Sequence, residues 1–211
     1  MFEVETPWRW AFEAAWTSWV EGSLGIGCVI VDGDDIRVAV GRNRVLEPPL
    51  LGSISGTLLA HAEMDAFAGL GLSTAAGLTL YTTVEPCLMC SAAAIAMRLS
   101  HVRFAAPDPV FEGLSGALAA HPYASGRLPT RQPLSHPLLV AVGNVLPLAT
   151  RVWSKPGAEP RPEWLRANAP SWRAASELVE SGTMSALANR RTSVDEMIEA
   201  IAPTLQRHQA I

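Results

Sequence analysis

The sequence predicts an α/β sandwich in which helices pack on a mixed β-sheet. Two observations predict this fold. The apolar run from Gly25 to Val31 is followed by an Asp-Gly turn and a second extended segment, which is the pattern of a β-hairpin. Beyond the hairpin, helical and extended patterns alternate along the chain, which favours layers of helices on a sheet.

The first elements follow from local signals. Thr6-Pro7 can begin a helix that runs through Val20, because apolar side chains recur at helical spacing along it. The two strands of the hairpin are predicted at Gly25–Val31 and Ile36–Val40. A long loop then extends from Arg42 to Ala60, and a loop of this length within a compact domain is usually functional.

The middle of the chain supplies the rest of the sandwich. Segment 111–130 is rich in Gly and Ala, and its pattern predicts no single element. The other predicted elements are helix 61–70, strand 78–84, helix 86–99, strand 102–105 and a last strand at 138–142.

The composition changes at a Pro-rich stretch, Lys155 to Pro162, which is typical of a linker or a stiff elbow. Helical periodicity follows in residues 163–180 and 194–206. We therefore predict a domain of residues 1–154 and a helical extension of residues 155–211. The extension is expected to pack on the core or on a dimer partner.

Charge and hydropathy limit the possible partners. The formal net charge of the 211 residues is −4, and the arginines are scattered, whereas proteins that bind nucleic acids usually have a basic patch. A small-molecule substrate is therefore favoured over nucleic acid. The N-terminus is acidic where a signal peptide is basic, and the longest apolar run, Leu24 to Val31, is too short to cross a bilayer. We expect no membrane association and a cytoplasmic location.

His61, Cys87 and Cys90 form a candidate metal site. A catalytic zinc uses three protein ligands and keeps a fourth position for water. Cys87 and Cys90 are three residues apart at the start of a predicted helix, so they share a face of its first turn, where the helix dipole favours thiolates. His61 opens the other predicted helix. Both helix N-termini can thus converge on one ion.

Glu63 follows His61 by two residues, close enough to face the open position of the metal without being a ligand. Zinc lowers the pKa of bound water from about 15.7 to roughly 7. A carboxylate in a closed pocket can have a raised pKa that suits it to carry the proton. A structural zinc or a redox pair would explain Cys-x-x-Cys alone, but the combination with His61 and Glu63 favours a catalytic zinc.

The pattern His61-Ala-Glu63 followed by Pro86-Cys87-Leu-Met-Cys90 resembles the cytidine deaminase-like superfamily. The resemblance covers roughly Trp8 to Gly113. It implies a three-layer α/β/α sandwich with a mixed central sheet, here with a C-terminal helical extension, and a Zn²⁺ cofactor. A histidine at position 61 and only two residues between the cysteines favour the branch of guanine, cytosine and tRNA adenosine deaminases.

The resemblance also implies the reaction, in which zinc-bound hydroxide attacks the ring carbon that bears an amino group. Glu63 transfers the protons, and ammonia leaves. In that branch the residue that matches Asn43 contacts the base or ribose. The expected site residues are His61, Cys87 and Cys90 for the metal, Glu63 for catalysis, and Asn43, Ala62, Asp108 and Glu112 for the substrate.

Three functions are compatible with these residues. The first is deamination of a free nucleobase, nucleoside or related aminated heterocycle. The second is deamination of adenosine or cytidine in tRNA or another polynucleotide, which would need basic loops around the pocket. The third is a zinc-stabilised binding protein without turnover, against which Glu63 argues. Relatives commonly have Asp-Pro-Thr where this chain has Thr57-Leu-Leu, so the substrate is left open. Many relatives are dimers, so a homodimer is expected.

Overall fold

The central sheet of the computed structural model is mixed. The model describes residues 4–71, 74–157 and 162–211, without the side chains of residues 163 and 164. The strands are β1 (Gly27–Val31), β2 (Arg37–Arg42), β3 (Thr79–Val84), β4 (His101–Ala106) and β5 (Thr130–Pro133). Their order is β2-β1-β3-β4-β5. Strand β1 is antiparallel to β2 and β3, whereas β3, β4 and β5 are parallel.

Helices cover both faces of the sheet, so the predicted three-layer α/β/α sandwich with a C-terminal helical extension is confirmed. A short 3-10 turn spans Pro109–Phe111. The helices are α1 (Thr6–Val20), α2 (Ala62–Gly69), α3 (Leu88–Ala96), α4 (Leu114–Ala119), α5 (Pro122–Ser125), α6 (Pro137–Ser154), α7 (Pro162–Glu180), α8 (Thr183–Asn189) and α9 (Val194–Arg207).

Strand β1 separates two hydrophobic cores. Its side chains alternate with a period of two, so Val29 and Val31 enter one core while Cys28 and Ile30 enter the other. The larger core lies under α1, α6, α7, α8 and α9. The smaller core lies under α2 and α3, the helices that carry the candidate metal ligands. A strand buried on both faces explains the uninterrupted apolar run at this position.

The strand predicted at 138–142 is wrong, because these residues belong to helix α6. Pro137 stands in the first turn, and the His136 side chain accepts a hydrogen bond from the Leu139 backbone N–H, which caps the helix. The edge of the sheet is occupied instead by β5. A short apolar run in a buried helix cannot be distinguished from a buried strand by periodicity alone.

Among the described residues, α6 is the one helix long and apolar enough to span a membrane, with 18 residues and a mean hydropathy of 1.2. More than half of it is buried inside the protein. The core helix of a protein without a membrane span passes the same test, so this finding is weak evidence.

The C-terminal helices contribute to the larger core. Helices α7 and α9 match the predicted helical segments within one residue at each end, and α8 lies between them. Leu178, Met184, Ile198 and Ile201 are fully buried in the same apolar cluster as α1 and α6. The described helices of the extension therefore pack on the core. The predicted division at residue 154 stays a prediction, and its linker lies partly outside the described residues.

Candidate metal centre and substrate cavity

Two helix N-termini present the three candidate metal ligands. His61 precedes the first turn of α2, Cys87 precedes the first turn of α3, and Cys90 lies in that turn. Helix α2 packs very closely on β2, since a Cβ atom at Gly41 would lie 2.0 Å from the Ala62 carbonyl oxygen. Only glycine permits this approach, so Gly41 helps to set the height of His61 above the sheet.

The three donor atoms fit a zinc ion. His61 Nδ1, Cys87 Sγ and Cys90 Sγ lie 3.6 Å from one another. A regular tetrahedron with such edges has its centre about 2.2 Å from each corner, which agrees with Zn–S bonds of about 2.3 Å and Zn–N bonds of about 2.0 Å. One imidazole and two thiols are also the donor set of zinc sites that keep a position open.

The protonation of the three candidate ligands is coupled to metal binding. The pKa of Cys87 is lowered to about 4, chiefly by its hydrogen bond with Cys90. The same bond raises the pKa of Cys90. The pKa of His61 is raised, mainly by its hydrogen bond with Cys87. Metal ligands must be deprotonated, so binding of a metal would release the proton of the Cys90 thiol.

Glu63 is buried, with 4% of its surface exposed, and touches the metal cluster. Its Oε2 accepts a hydrogen bond from the Cys90 thiol at 3.4 Å, and its Oε1 accepts one from the Thr82 hydroxyl at 3.4 Å. Burial is the largest cause of its raised pKa. Glu63 is thus positioned beside the ligands with a carboxyl that holds a proton more readily than an exposed one.

Asn43 is also buried, with 1% of its surface exposed. Its Oδ1 accepts hydrogen bonds from the Ser23 hydroxyl and from the Val45 backbone N–H. The hydrogen bonds found among the described residues leave its Nδ2 group unused. The side chain therefore organises the start of the long loop, and its predicted contact with the substrate stays a prediction.

The other three predicted substrate residues have different positions. Ala62 is fully buried under Gly41. Asp108 caps the 3-10 turn by accepting a hydrogen bond from Val110 N–H. Glu112 follows that turn and is exposed. Of the three, only Asp108 lines the cavity described next.

A cavity of about 470 Å³ lies between α6 and the ends of β1 and β3, and neither the three candidate metal ligands nor Glu63 is among its lining residues. Val84, one of its walls, leads into the Pro86-Cys87 segment, and its carbonyl oxygen shares the Thr82 hydroxyl with Glu63. Ile26, another wall, accepts a hydrogen bond from the Asn43 backbone N–H. Helix α6 forms the opposite wall. Its lining residues are Gly143, Asn144, Pro147, Leu148, Arg151 and Ser154.

Sequence reasoning missed this wall because α6 was predicted in part as a strand. One signal was present, namely Asn144 within the apolar run from Leu138 to Leu148. A polar residue in a buried helix face needs either a partner or a function.

Comparison with known proteins identifies the region that carries these ligands. Residues 3–106 match the family described as the cytidine and deoxycytidylate deaminase zinc-binding region. The chain contains a cytidine deaminase-like zinc domain. The predicted superfamily and the Zn²⁺ cofactor are thereby confirmed.

Two relatives of this deaminase domain are known by function. A tRNA-specific adenosine deaminase of Bacillus subtilis is 36% identical over 102 residues, which are 46% of this chain and 58% of that protein. A tRNA(Ile)-lysidine synthase of Deinococcus radiodurans is 35% identical over 103 residues, which are 46% of this chain and 16% of that protein. The chain thus spans less than two thirds of the length of either relative.

Solved structures share the fold. A structure from a study of A-to-I editing by tRNA:A34 deaminases has 26% identity and a TM-score of 0.50, over 59% of this chain and 94% of the other. A guanine deaminase from Nitrosomonas europaea has 20% identity and a TM-score of 0.50, over 72% of this chain and 86% of the other. The second likeness shows the fold alone.

A mostly buried ion pair braces the metal-binding turn of the deaminase domain. Arg131 on β5 contacts Glu85 Oε1 at 2.8 Å, and Glu85 Oε2 accepts a hydrogen bond from the Asp108 backbone N–H. Arg131 also contacts the hydroxyl of Ser91, which in turn donates to the Pro86 carbonyl oxygen. One end of this network is Pro86, which precedes Cys87, and the other is Asp108, which lines the cavity. The sequence gave no signal for Arg131.

Proposed function

We propose that this chain is a zinc-dependent hydrolytic deaminase of a free nucleobase, nucleoside or related aminated heterocycle. The observation that carries the proposal is the position of Glu63, a buried carboxyl in contact with the thiol of Cys90. A purely structural zinc site has no use for a buried carboxyl at this point, and burying one without a function costs stability.

The residues present supply the parts of the reaction. When bound, zinc supplies a Lewis acid that makes water a nucleophile near neutral pH. Glu63 takes a proton from the attacking water and gives it to the ring nitrogen next to the attacked carbon. Glu63 then moves the remaining hydroxyl proton to the amino group, which leaves as ammonia while the ring carbon becomes a carbonyl. The raised pKa of Glu63 suits both transfers.

Two features support a small substrate. The cavity of about 470 Å³ is in the range of small-molecule sites and is lined mostly by apolar side chains, and its wall residue Val84 is linked to Glu63 through the Thr82 hydroxyl. Of the arginines that a polynucleotide could use, three have acidic partners. Arg42 pairs with Glu47, Arg44 with Glu47 and Asp65, and Arg103 with Glu5.

Deamination of adenosine in tRNA is the second candidate. The relative from Bacillus subtilis, which matches 46% of this chain, bears the name of a tRNA-specific adenosine deaminase. A gel-shift titration with tRNA at two salt concentrations distinguishes the candidates. Tight binding that weakens steeply with salt would replace the first candidate by the second.

The proposal is tested by ammonia release from zinc-loaded protein with guanine, cytosine, adenine, their nucleosides and aminated pterins or triazines. We expect Glu63→Ala to lower the rate by about 10²- to 10⁴-fold, since it removes the proton carrier. Zinc content should remain one per chain. Asp65→Asn is the matched control, because it removes an acidic group from the same helix away from the metal cluster. Equal rates for Glu63→Ala and the wild type would exclude the mechanism.

A further inference from the structure

We propose that Arg131 is a positioning residue for the zinc site. Its guanidinium holds together the two sides of the turn that carries Cys87 and Cys90, and thereby sets how tightly the chain retains the metal. Arg131 itself is not a ligand and lies on β5. The inference concerns zinc binding, so it stands apart from the proposed function and from the identity of the substrate.

The guanidinium bridges residues before and after the two cysteines. Its Nη2 contacts Glu85 Oε1 at 2.8 Å, and its Nη1 donates to the Ser91 hydroxyl at 3.3 Å. Glu85 follows β3 and comes two residues before Cys87, whereas Ser91 comes directly after Cys90 in α3. Arg131 therefore joins the two segments between which both candidate thiolate ligands lie.

The partners of the guanidinium are themselves held in place. The Ser91 hydroxyl donates to the Pro86 carbonyl oxygen at 3.1 Å, so the contact reaches the peptide bond to the first cysteine. Glu85 Oε2 accepts a hydrogen bond from the Asp108 backbone N–H at 3.2 Å. Because both carboxylate oxygens of Glu85 are engaged, this side chain gives Arg131 a rigid anchor.

Arg131 is the one residue of β5 that is not exposed. Thr130, Gln132 and Pro133 are exposed, whereas only 13% of the Arg131 side chain is accessible. Its guanidinium lies over the ring of Phe104 on the neighbouring strand, 5.5 Å from the ring centre. Charged side chains are seldom buried to this degree unless they are paired, and here both partners belong to the cysteine turn.

The geometry of the contact requires arginine. A planar guanidinium can make two contacts at once, whereas the ammonium of lysine is a single point charge. Groups that orient metal ligands without touching the metal usually change its affinity by about 10- to 100-fold when they are removed. Without the bridge, the segment of Cys87 and the first turn of α3 could move apart, and zinc would leave faster.

The experiment measures the zinc dissociation constant of the full chain at room temperature by competition with a chromophoric chelator. We expect Arg131→Met to raise this constant by about 10-fold, since it removes both contacts and keeps an unbranched side chain over Phe104. Arg131→Lys should raise it by about threefold, because it keeps the charge and one of the two contacts.

Arg127→Met is the matched control. Arg127 precedes β5, donates to the Tyr123 carbonyl oxygen and lies over the ring of the same tyrosine, so it has no contact with the cysteine turn among those of the described residues. The zinc dissociation constant of this variant should equal that of the wild type. An increase as large as that of Arg131→Met would overturn the inference.

A merely structural role of Arg131 gives a different result. Arg131→Met would then lower the melting temperature of the zinc-free protein and leave the zinc dissociation constant of the folded chains unchanged, which overturns the inference. Arg131→Lys with the wild-type constant overturns it as well, because the charge alone would then suffice.

A milder variant decides the question if Arg131→Met does not fold. Ser91→Ala removes the hydroxyl through which the guanidinium reaches the Pro86 carbonyl oxygen, and we expect it to raise the zinc dissociation constant by about threefold. An unchanged constant would overturn the inference. Ammonia release is not measured in any of these experiments, so failure of the proposed function leaves the test intact.

Discussion

The two faces of the sheet differ in size and in what they carry. The face under α2 and α3 holds the smaller core, in which several members are alanines, together with the metal ligands and Glu63. The face under α1, α6 and the C-terminal helices holds the larger core, which is rich in Trp, Leu and Val. The first face carries the chemistry and the second supplies most of the buried apolar surface.

The difference shows how a reactive site is supported. Small side chains such as Ala62 and Ala66 allow α2 to approach the sheet closely, which positions His61 and Glu63. Such residues bury little apolar area, and hydrophobic stabilisation is roughly proportional to that area. The larger core on the opposite face compensates, and it also supplies the α6 wall of the cavity.

The largest expected effect comes from breaking the metal cluster on the smaller face. Cys90→Ala removes one of three donors, so we expect zinc content to fall from one per chain to less than about 0.1 after dialysis. Ammonia release should fall below detection. Metal analysis by mass spectrometry measures the first quantity. Retention of one zinc per chain would show that the three donors are not the site.

A smaller effect is expected from removing a buried side chain in the larger core. Ile201→Ala removes a fully buried side chain of α9, and such changes lower the free energy of unfolding by about 2–5 kcal/mol. Zinc content and kcat should stay at the wild-type values, because Ile201 is remote from the metal cluster. Urea unfolding measures the free energy. A decrease in the free energy of unfolding of less than about 0.5 kcal/mol would mean that α9 adds little to the core.

The smallest effect is expected at the N-terminus of α9. Ser193 accepts a hydrogen bond from Glu196 N–H, while the Glu196 side chain accepts one from Ser193 N–H, which forms a capping box. Ser193→Ala should lower the free energy of unfolding by about 1 kcal/mol and leave activity unchanged. Ser181→Ala, a serine after the end of α7, is the control in the same urea titration. Equal losses in both variants would remove the special role of the cap.

Local signals predicted most elements. The helix predicted from Thr6 to Val20 has the observed bounds, and the predicted strands of the hairpin overlap β1 and β2. These elements carry their own signals in capping residues, turn residues and periodicity. The strand predicted at 138–142 is wrong because a buried helix is apolar on all sides, and its identity depends on what surrounds it.

The sequence by itself determined the candidate metal donors and the proposed proton carrier. Cys87 and Cys90 lie within one helical turn, and His61 and Glu63 are two residues apart, so local geometry already limits their arrangement. Only the tertiary structure decided the cavity beside α6. Its walls come from segments more than a hundred residues apart, such as Ile26 and Asn144. A local sequence pattern cannot predict that such distant segments are in contact. Packing of α6 against β3 brings them together, because contacts distant in the chain are set by the whole core.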